Sequence, residues 1–319
     1  MGDKAVVIGG TGHIGTYLVP WLCELGYNVV SVSRNNRQPY QPHPAWDKVE
    51  KLSMDREAMD RDNSFGPAIA DLLADVVIDL ICFTPESQRQ LIEALRGKVG
   101  HYVSIGSIRI HGYSRVVPTL EDDLRKPFGD YGIKKSTMEL ELLEEARTNE
   151  FPATILHPGH IVGPGWEVVN PQGNKDPKVF SRLAKGEELT LPNFGLETLN
   201  HIHAWDIAKL IVLALEQPEV SKGEAFHVVA NAAVTFRGYA DAVASWFGKD
   251  ANLKFLPCNE FEKTLDKEFA EATYDHVAHS PNCSNEKAKR LLGFEPRYSS
   301  LEAVKEAIDW YIANGVIEV

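Results

Sequence analysis

Tyr131-Gly132-Ile133-Lys134-Lys135 places a phenol and an ammonium four residues apart at the start of a long helical pattern. On a helix that spacing puts both side chains on one face. An ammonium beside a phenol favours the phenolate and draws its pKa down from near 10. A phenol tuned in this way can exchange a proton with an alcohol or carbonyl oxygen while hydride moves to or from a nicotinamide. A place for that nicotinamide is suggested upstream. Ala5–Ile8 is a short apolar run rich in β-branched residues, the pattern of a buried strand. Glycines follow at 9, 10, 12 and 15, and Ile14–Leu25 reads as an amphipathic helix. Gly9 and Gly12 permit a tight turn and close backbone approach, and Gly15 lets the helix lie against the sheet. The free N–H groups and positive end of that helix suit a dinucleotide pyrophosphate, with Thr11, His13 and Ile14 beside it.

The elements that must hold these groups follow in order. Val29–Ser33 is a second strand, and no carboxylate stands at its end. Ser33-Arg34-Asn35-Asn36-Arg37 offers instead a small hydroxyl and a guanidinium, which favour a ribose 2′-phosphate. NADP is therefore the preferred cofactor and NAD the alternative. Val49–Met54 is a short strand, Ala74–Phe83 a strand buried on both faces, and Thr84 sits at the carboxyl edge where ligands bind. Val99–Ile105 and Ala153–His157 continue the series. Helical patterns between them (the Leu72 region, Glu86–Leu95, Lys134–Arg147) argue for an α/β fold with a doubly wound parallel sheet.

The motifs carry a resemblance. Gly9-Gly10-Thr11-Gly12-His13-Ile14-Gly15, with its G-x-x-G-x-x-G spacing, resembles the nucleotide loop of the extended short-chain dehydrogenases/reductases, which include the NAD-dependent epimerases and dehydratases. Ser104-Ile105-Gly106-Ser107-Ile108-Arg109-Ile110-His111-Gly112 is similar to the family's Ser-Ser-x-x-Val-Tyr-Gly segment, with His111 in place of Tyr. Counting back from Gly112 puts Ser107 on the substrate-orienting serine, with Ser104 as the rival. The resemblance implies Tyr131 as acid/base, Lys135 tuning it and holding the nicotinamide ribose, and Ser107 orienting the substrate. Asp55 matches a position that meets the adenine amino group. His157-Pro158-Gly159-His160-Ile161-Val162-Gly163-Pro164-Gly165 is similar to the family's Arg-Pro-x-x-Val-Tyr-Gly-Pro-Gly, with His157 standing for Arg and Val162 for Tyr. It implies that Pro158, His160 and Ile161 are cofactor neighbours, as is Phe83. Thr84, Arg109, Trp166 and Asn170 are the expected substrate contacts. The C-terminal Lys287–Phe294 segment also matches, so the resemblance runs from residue 4 to about 312.

On this reading residues 1–165, with about 195–230, form a Rossmann dinucleotide domain, and 166–319 mainly a smaller C-terminal α/β substrate lobe. Sugar-nucleotide epimerases carry an Arg for the substrate diphosphate where this chain has Leu199, and no second Arg stands near Tyr274. A guanidinium is the natural diphosphate clamp. The expected substrate is therefore a sugar-like small molecule without a diphosphate, oxidised or reduced at a secondary alcohol or carbonyl. The alternatives are a nucleotide-sugar epimerase/dehydratase and a non-catalytic dinucleotide-binding regulator. The 319-residue chain carries a formal net charge of −12, which disfavours nucleic acid or an anionic membrane as partner. Cys23, Cys82, Cys258 and Cys283 form no C-x-x-C pair, and His201-x-His203 has no third ligand close by, so no metal is expected. The N-terminus enters a strand at once and no apolar run approaches spanning length, giving the expectation of a cytoplasmic protein. In the family the long helix after Tyr131 often pairs into dimers, which makes a homodimer a candidate assembly.

Overall fold

The computed structural model describes residues 2–34 and 36–319; Met1 and Asn35 lie outside them. The apolar runs become β1 (Lys4–Ile8), β2 (Asn28–Ser33), β3 (Glu50–Ser53), β4 (Val76–Asp79), β5 (His101–Ile105) and β6 (Ala153–Pro158). Together with Glu224–Val228 they form one seven-stranded sheet in the order Glu224–Val228, β6, β5, β4, β1, β2, β3. Every pairing is parallel. The chain runs outward from β1 in both directions, so the crevice beyond its carboxyl end is the switch point where such sheets bind ligands.

Helices cover both faces. α1 (His13–Glu24) leaves the glycine turn and packs, through Leu18 and Leu22, with Ala204–Glu216 into a core that includes Val7, Ile78 and Leu156. Each such fully covered leucine contributes about 1.5–3 kcal/mol. α2 (Arg56–Arg61), α3 (Phe65–Ala70), α4 (Pro85–Leu95) and α5 (Gly129–Asn149) take the other face, where Phe65, Leu91 and Leu142 meet Val6, Val77 and Tyr102. A second apolar core joins Lys178–Lys185, Phe236–Trp246 and Ser300–Ala313 around Phe180, Tyr239 and Val304. There Leu189–Pro192 pairs in parallel with Leu253–Leu256.

One strand is shorter than its apolar run suggests. The sequence Ala74–Phe83 predicts a single strand, but β4 stops at Asp79. The buried Asp79 carboxylate takes Arg56 Nη1 at 2.6 and 2.8 Å and the Tyr102 hydroxyl at 3.2 Å. Leu80–Phe83 then turn over the sheet edge, leaving Phe83 more than half exposed. The helix expected around Leu72 forms earlier, as α3. α5 starts earlier than Lys134, so Tyr131 lies in its first turn.

Candidate active site

The turn after β1 is closed by Gly9 N donating to Val32 O at 2.8 Å and Gly12 N donating to Gly9 O at 2.9 Å. Gly9 has φ +85°, a conformation open to glycine. A Cβ on Gly9, Gly10 or Gly15 would come closer than 3.0 Å to Ile81, Ser31 or the Gly10 backbone. α1 has Gly12 as N-cap, with no side-chain cap and no acidic residue in the first turn. The first intrahelical bond is made by Thr16 N, leaving the His13, Ile14 and Gly15 N–H groups to serve an anion. This cradle fits a dinucleotide pyrophosphate. Gly15→Ala tests it, because the added methyl would meet backbone that cannot swing aside. The expected result is a loss of about 1–3 kcal/mol of stability, seen by thermal unfolding, with at least a tenfold loss of dinucleotide affinity by calorimetry.

Gly9, Gly12, His13 and Ile14 line one end of a cavity of about 350 Å³. Ser107, Tyr131 and Lys135 line its floor. Ser107 follows β5 and opens a short 3-10 turn, Ile108–His111, its hydroxyl accepting from Arg109 N at 3.3 Å. Ser104, the rival serine, is buried within β5. Tyr131 stands on α5 with its ring partly exposed. Lys135 is turned under the floor, its Nζ donating to Cys82 O and Ile105 O, both at 2.7 Å. Burial lowers its pKa to about 8. The expectation from the four-residue spacing, that Lys135 draws down the Tyr131 phenol, is corrected: the net direction is upward because the phenol is buried. Burial pushes the phenol up, opposed by the Ser107 hydroxyl and the Arg109 guanidinium. The ammonium sits 5.8 Å from the Tyr131 ring centre, committed to two carbonyls.

Phe83, Pro158, His160, Ile161, Arg109 and Trp166 reach the same cavity. The His13 ring stacks on Trp166 at 4.9 Å, tying the glycine turn to the loop that follows His160–Val162. Other expected residues lie elsewhere. Asn170 is fully buried, and its amide is consumed by Asn174, Asp176 and Gln172, so it staples its own loop instead of meeting substrate. Thr84 caps α4 through Ser87 N, and Asp55 caps α2 through Ala58 N, so both hold helix starts. Thr11 is buried in the turn, while Ser33 and Arg34 stand at the end of β2 beyond the cavity lining. Leu199 is buried in the second core and Tyr274 is exposed. Among the described residues Arg109 is the one arginine lining the cavity, and it is paired with Asp275 and touches His276 Nε2 at 3.0 Å.

Asp275, His276 and His279 belong to a helix, Lys267–His279, that the sequence pattern did not reveal. Its apolar positions are too few for a clear stripe, and its three site-facing residues contact Arg109 from 166 or more positions away. No group of three or more His, Cys, Asp or Glu among the described residues is arranged to hold a metal ion. No helix among them is long and apolar enough to cross a membrane.

A parallel sheet with a glycine turn at its switch point, and a Ser, Tyr and Lys meeting beside it, is the frame of a dinucleotide-dependent enzyme. The chain belongs to the NAD dependent epimerase/dehydratase family, whose sequence profile matches residues 5–229. It is an NAD-dependent oxidoreductase or epimerase of the extended short-chain dehydrogenase type. It is similar to a dTDP-4-dehydro-6-deoxy-D-allose reductase from a Streptomyces species, 23% identical over 80% of this chain and 85% of the relative. It shares its fold with an epimerase from Methanothermobacter thermautotrophicus (TM-score 0.76, 20% identity, 99% of this chain and 94% of the other). A dTDP-glucose 4,6-dehydratase from Bacillus anthracis, solved with NAD, superposes with a TM-score of 0.74 at 16% identity, over 98% of each chain.

Proposed function

We propose that this protein oxidises or reduces a secondary alcohol or carbonyl of a sugar-like small molecule lacking a diphosphate, with Tyr131 as the acid/base. The observation that carries this reading is that Ser107, Tyr131 and Lys135 line one cavity that also opens on the glycine turn. The nicotinamide, when bound, supplies or accepts the hydride. Tyr131 passes a proton to or from the reacting oxygen, and the Ser107 hydroxyl holds that oxygen in place. Lys135 has a third N–H left for a ribose hydroxyl after serving its two carbonyls. The absence of a diphosphate from the substrate is supported by Leu199, packed in apolar core, and by the pairing of Arg109 with Asp275. The test is a panel of carbonyl compounds and sugars, followed at the nicotinamide absorbance band. Turnover of a diphosphate-free compound is expected. Tightly retained NAD with no net turnover, and conversion only of nucleotide sugars, would instead identify an epimerase of the diphosphate-linked kind.

NADP is the cofactor favoured by this reading. β2 ends in Ser33, whose register partner on β3 is Ser53, so no carboxylate projects from either strand end to repel a 2′-phosphate. The exposed Arg34 follows. Arg34→Ala is expected to weaken NADPH binding by about tenfold, the size of one charge-assisted contact, and to leave NADH binding within twofold. Fluorescence titration of the two reduced cofactors decides it; equal losses for both would remove the 2′-phosphate role.

A further inference from the structure

We propose that His157, held by Glu139, is a positioning residue that fixes the peptide carrying Ser107 and so sets how the Ser107 hydroxyl is presented to Tyr131 across the shared cavity. This inference rests on the Ser107–Tyr131 reading above. His157 is fully buried on β6, and its Nδ1 accepts from Ser107 N at 3.0 Å. A backbone N–H can only donate, so Nδ1 is bare and the ring proton sits on Nε2. Nε2 accordingly donates to Glu139 Oε1 at 2.9 Å. Arg125 braces the same carboxylate, Nε to Oε2 at 2.9 Å and Nη2 to Oε1 at 2.7 Å. Burial pushes the Glu139 carboxyl up, but the His157 bond and the Arg125 guanidinium overcome it and hold the group well below the ordinary range.

The ring fits beneath the Ser107 segment only because residue 106 is glycine. A Cβ there would come closer than 3.0 Å to His157 Nδ1. The two peptides on either side of Gly106 are therefore both gripped. Lys135 takes the carbonyl of Ile105, and His157 takes the N–H of Ser107. Lys135 and Glu139 lie one and two steps along the same α5 face as Tyr131, at spacings of four. One helix face thus presents the phenol and, directly or through His157, clamps the backbone of the serine opposite it. An arginine, which the family motif has at position 157, carries no acceptor and could not take the Ser107 N–H. The clamp is a property of the histidine.

The test reads the Tyr131 phenol itself and needs no substrate. Tyrosine is replaced biosynthetically by a ring-fluorinated analogue, which brings phenol titration toward neutral pH. The Tyr131 fluorine resonance is assigned by its absence in Tyr131→Phe. Ser107→Ala is expected to raise the Tyr131 titration midpoint by about half to one pH unit, the size of one lost hydrogen bond. His157→Leu is expected to raise it by a similar amount, and the double variant no further. His157→Asn, whose Oδ1 can replace Nδ1 as acceptor, is expected to return most of the shift. If Ser107→Ala moves the midpoint and His157→Leu does not, the positioning role is overturned while the functional reading stands. If Ser107→Ala moves nothing, the Ser107–Tyr131 contact itself is overturned. Should His157→Leu fail to fold, Glu139→Gln takes its place: a rise of the same sign supports the clamp, and an unmoved midpoint overturns it.

Discussion

Tyr131→Phe is expected to lower kcat on the substrate found by the panel by two to four orders of magnitude, the range for removing a positioned acid/base. Cofactor affinity should stay within about twofold, because the ring is kept and the dinucleotide cradle is built from other residues. The structure explains why one oxygen can matter so much. Ser107 and Tyr131 are brought together from different elements, the turn after β5 and the first turn of α5. Lys135 cannot take over the proton transfer, since its ammonium is held under the floor by Cys82 O and Ile105 O. Phenylalanine fills the same space, so the loss reports on the hydroxyl and not on packing. The measurement is kcat and KM from the nicotinamide absorbance, with dinucleotide affinity by calorimetry. A fall of less than tenfold would place the proton transfer on another group of the cavity. His111 and His160, both lining it, would then be the first to replace.

What could be read from the sequence depended on how local each signal was. The glycine turn, the β-branched run before it and the spacing of Tyr131 and Lys135 are all set within a dozen residues, and each fell on the element expected of it. Ser107 needed a longer count, back from Gly112, yet it still lies in the turn directly after a strand. Three of the expected residues do not line the cavity, for a common reason. Thr84, Asp55 and Asn170 are polar residues at loop positions near ligands, and such side chains serve helix starts and loop backbones as readily as substrates. Only the identity of their partner N–H groups separates the two uses, and sequence does not give that. Asp275, His276 and His279 were out of reach for another reason. Their relevance comes from Arg109, and no local pattern predicts that pairing. The direction of the Tyr131 shift failed similarly: a spacing of four puts Lys135 on the right helix face, but cannot show how deeply the phenol is buried.

Acidification to about pH 5.5 is expected to remove a large part of the protein's stability. Of the 11 histidines, eight are held neutral by burial. His13 and His276 are lowered to about 3, and His101, His111, His201 and His203 to about 4. His160 and His227 lie well below the ordinary value. Neighbouring cations and imidazoles add to burial, as Arg125 does at His111 and Arg109 at His276. Below the ordinary imidazole value near 6.5, the unfolded chain binds protons that the folded one refuses, so stability is present above that pH and falls as acid is added. Between pH 7 and 5.5 each such histidine withdraws about 1 kcal/mol, and together they withdraw several kcal/mol, a large part of the stability of a typical domain. Asp206, raised to about 6, and Glu121, also raised, act in the opposite sense, since folding favours their protonation; Asp206 returns about 1 kcal/mol over that range. Asp275, lowered to about 2, and Glu139 join the losses only at lower pH. Urea unfolding at half-unit steps from pH 7.5 to 5 measures this directly. The slope of stability against pH should correspond to several protons taken up on unfolding, and a slope of less than two would mean that the buried imidazoles titrate in the folded state.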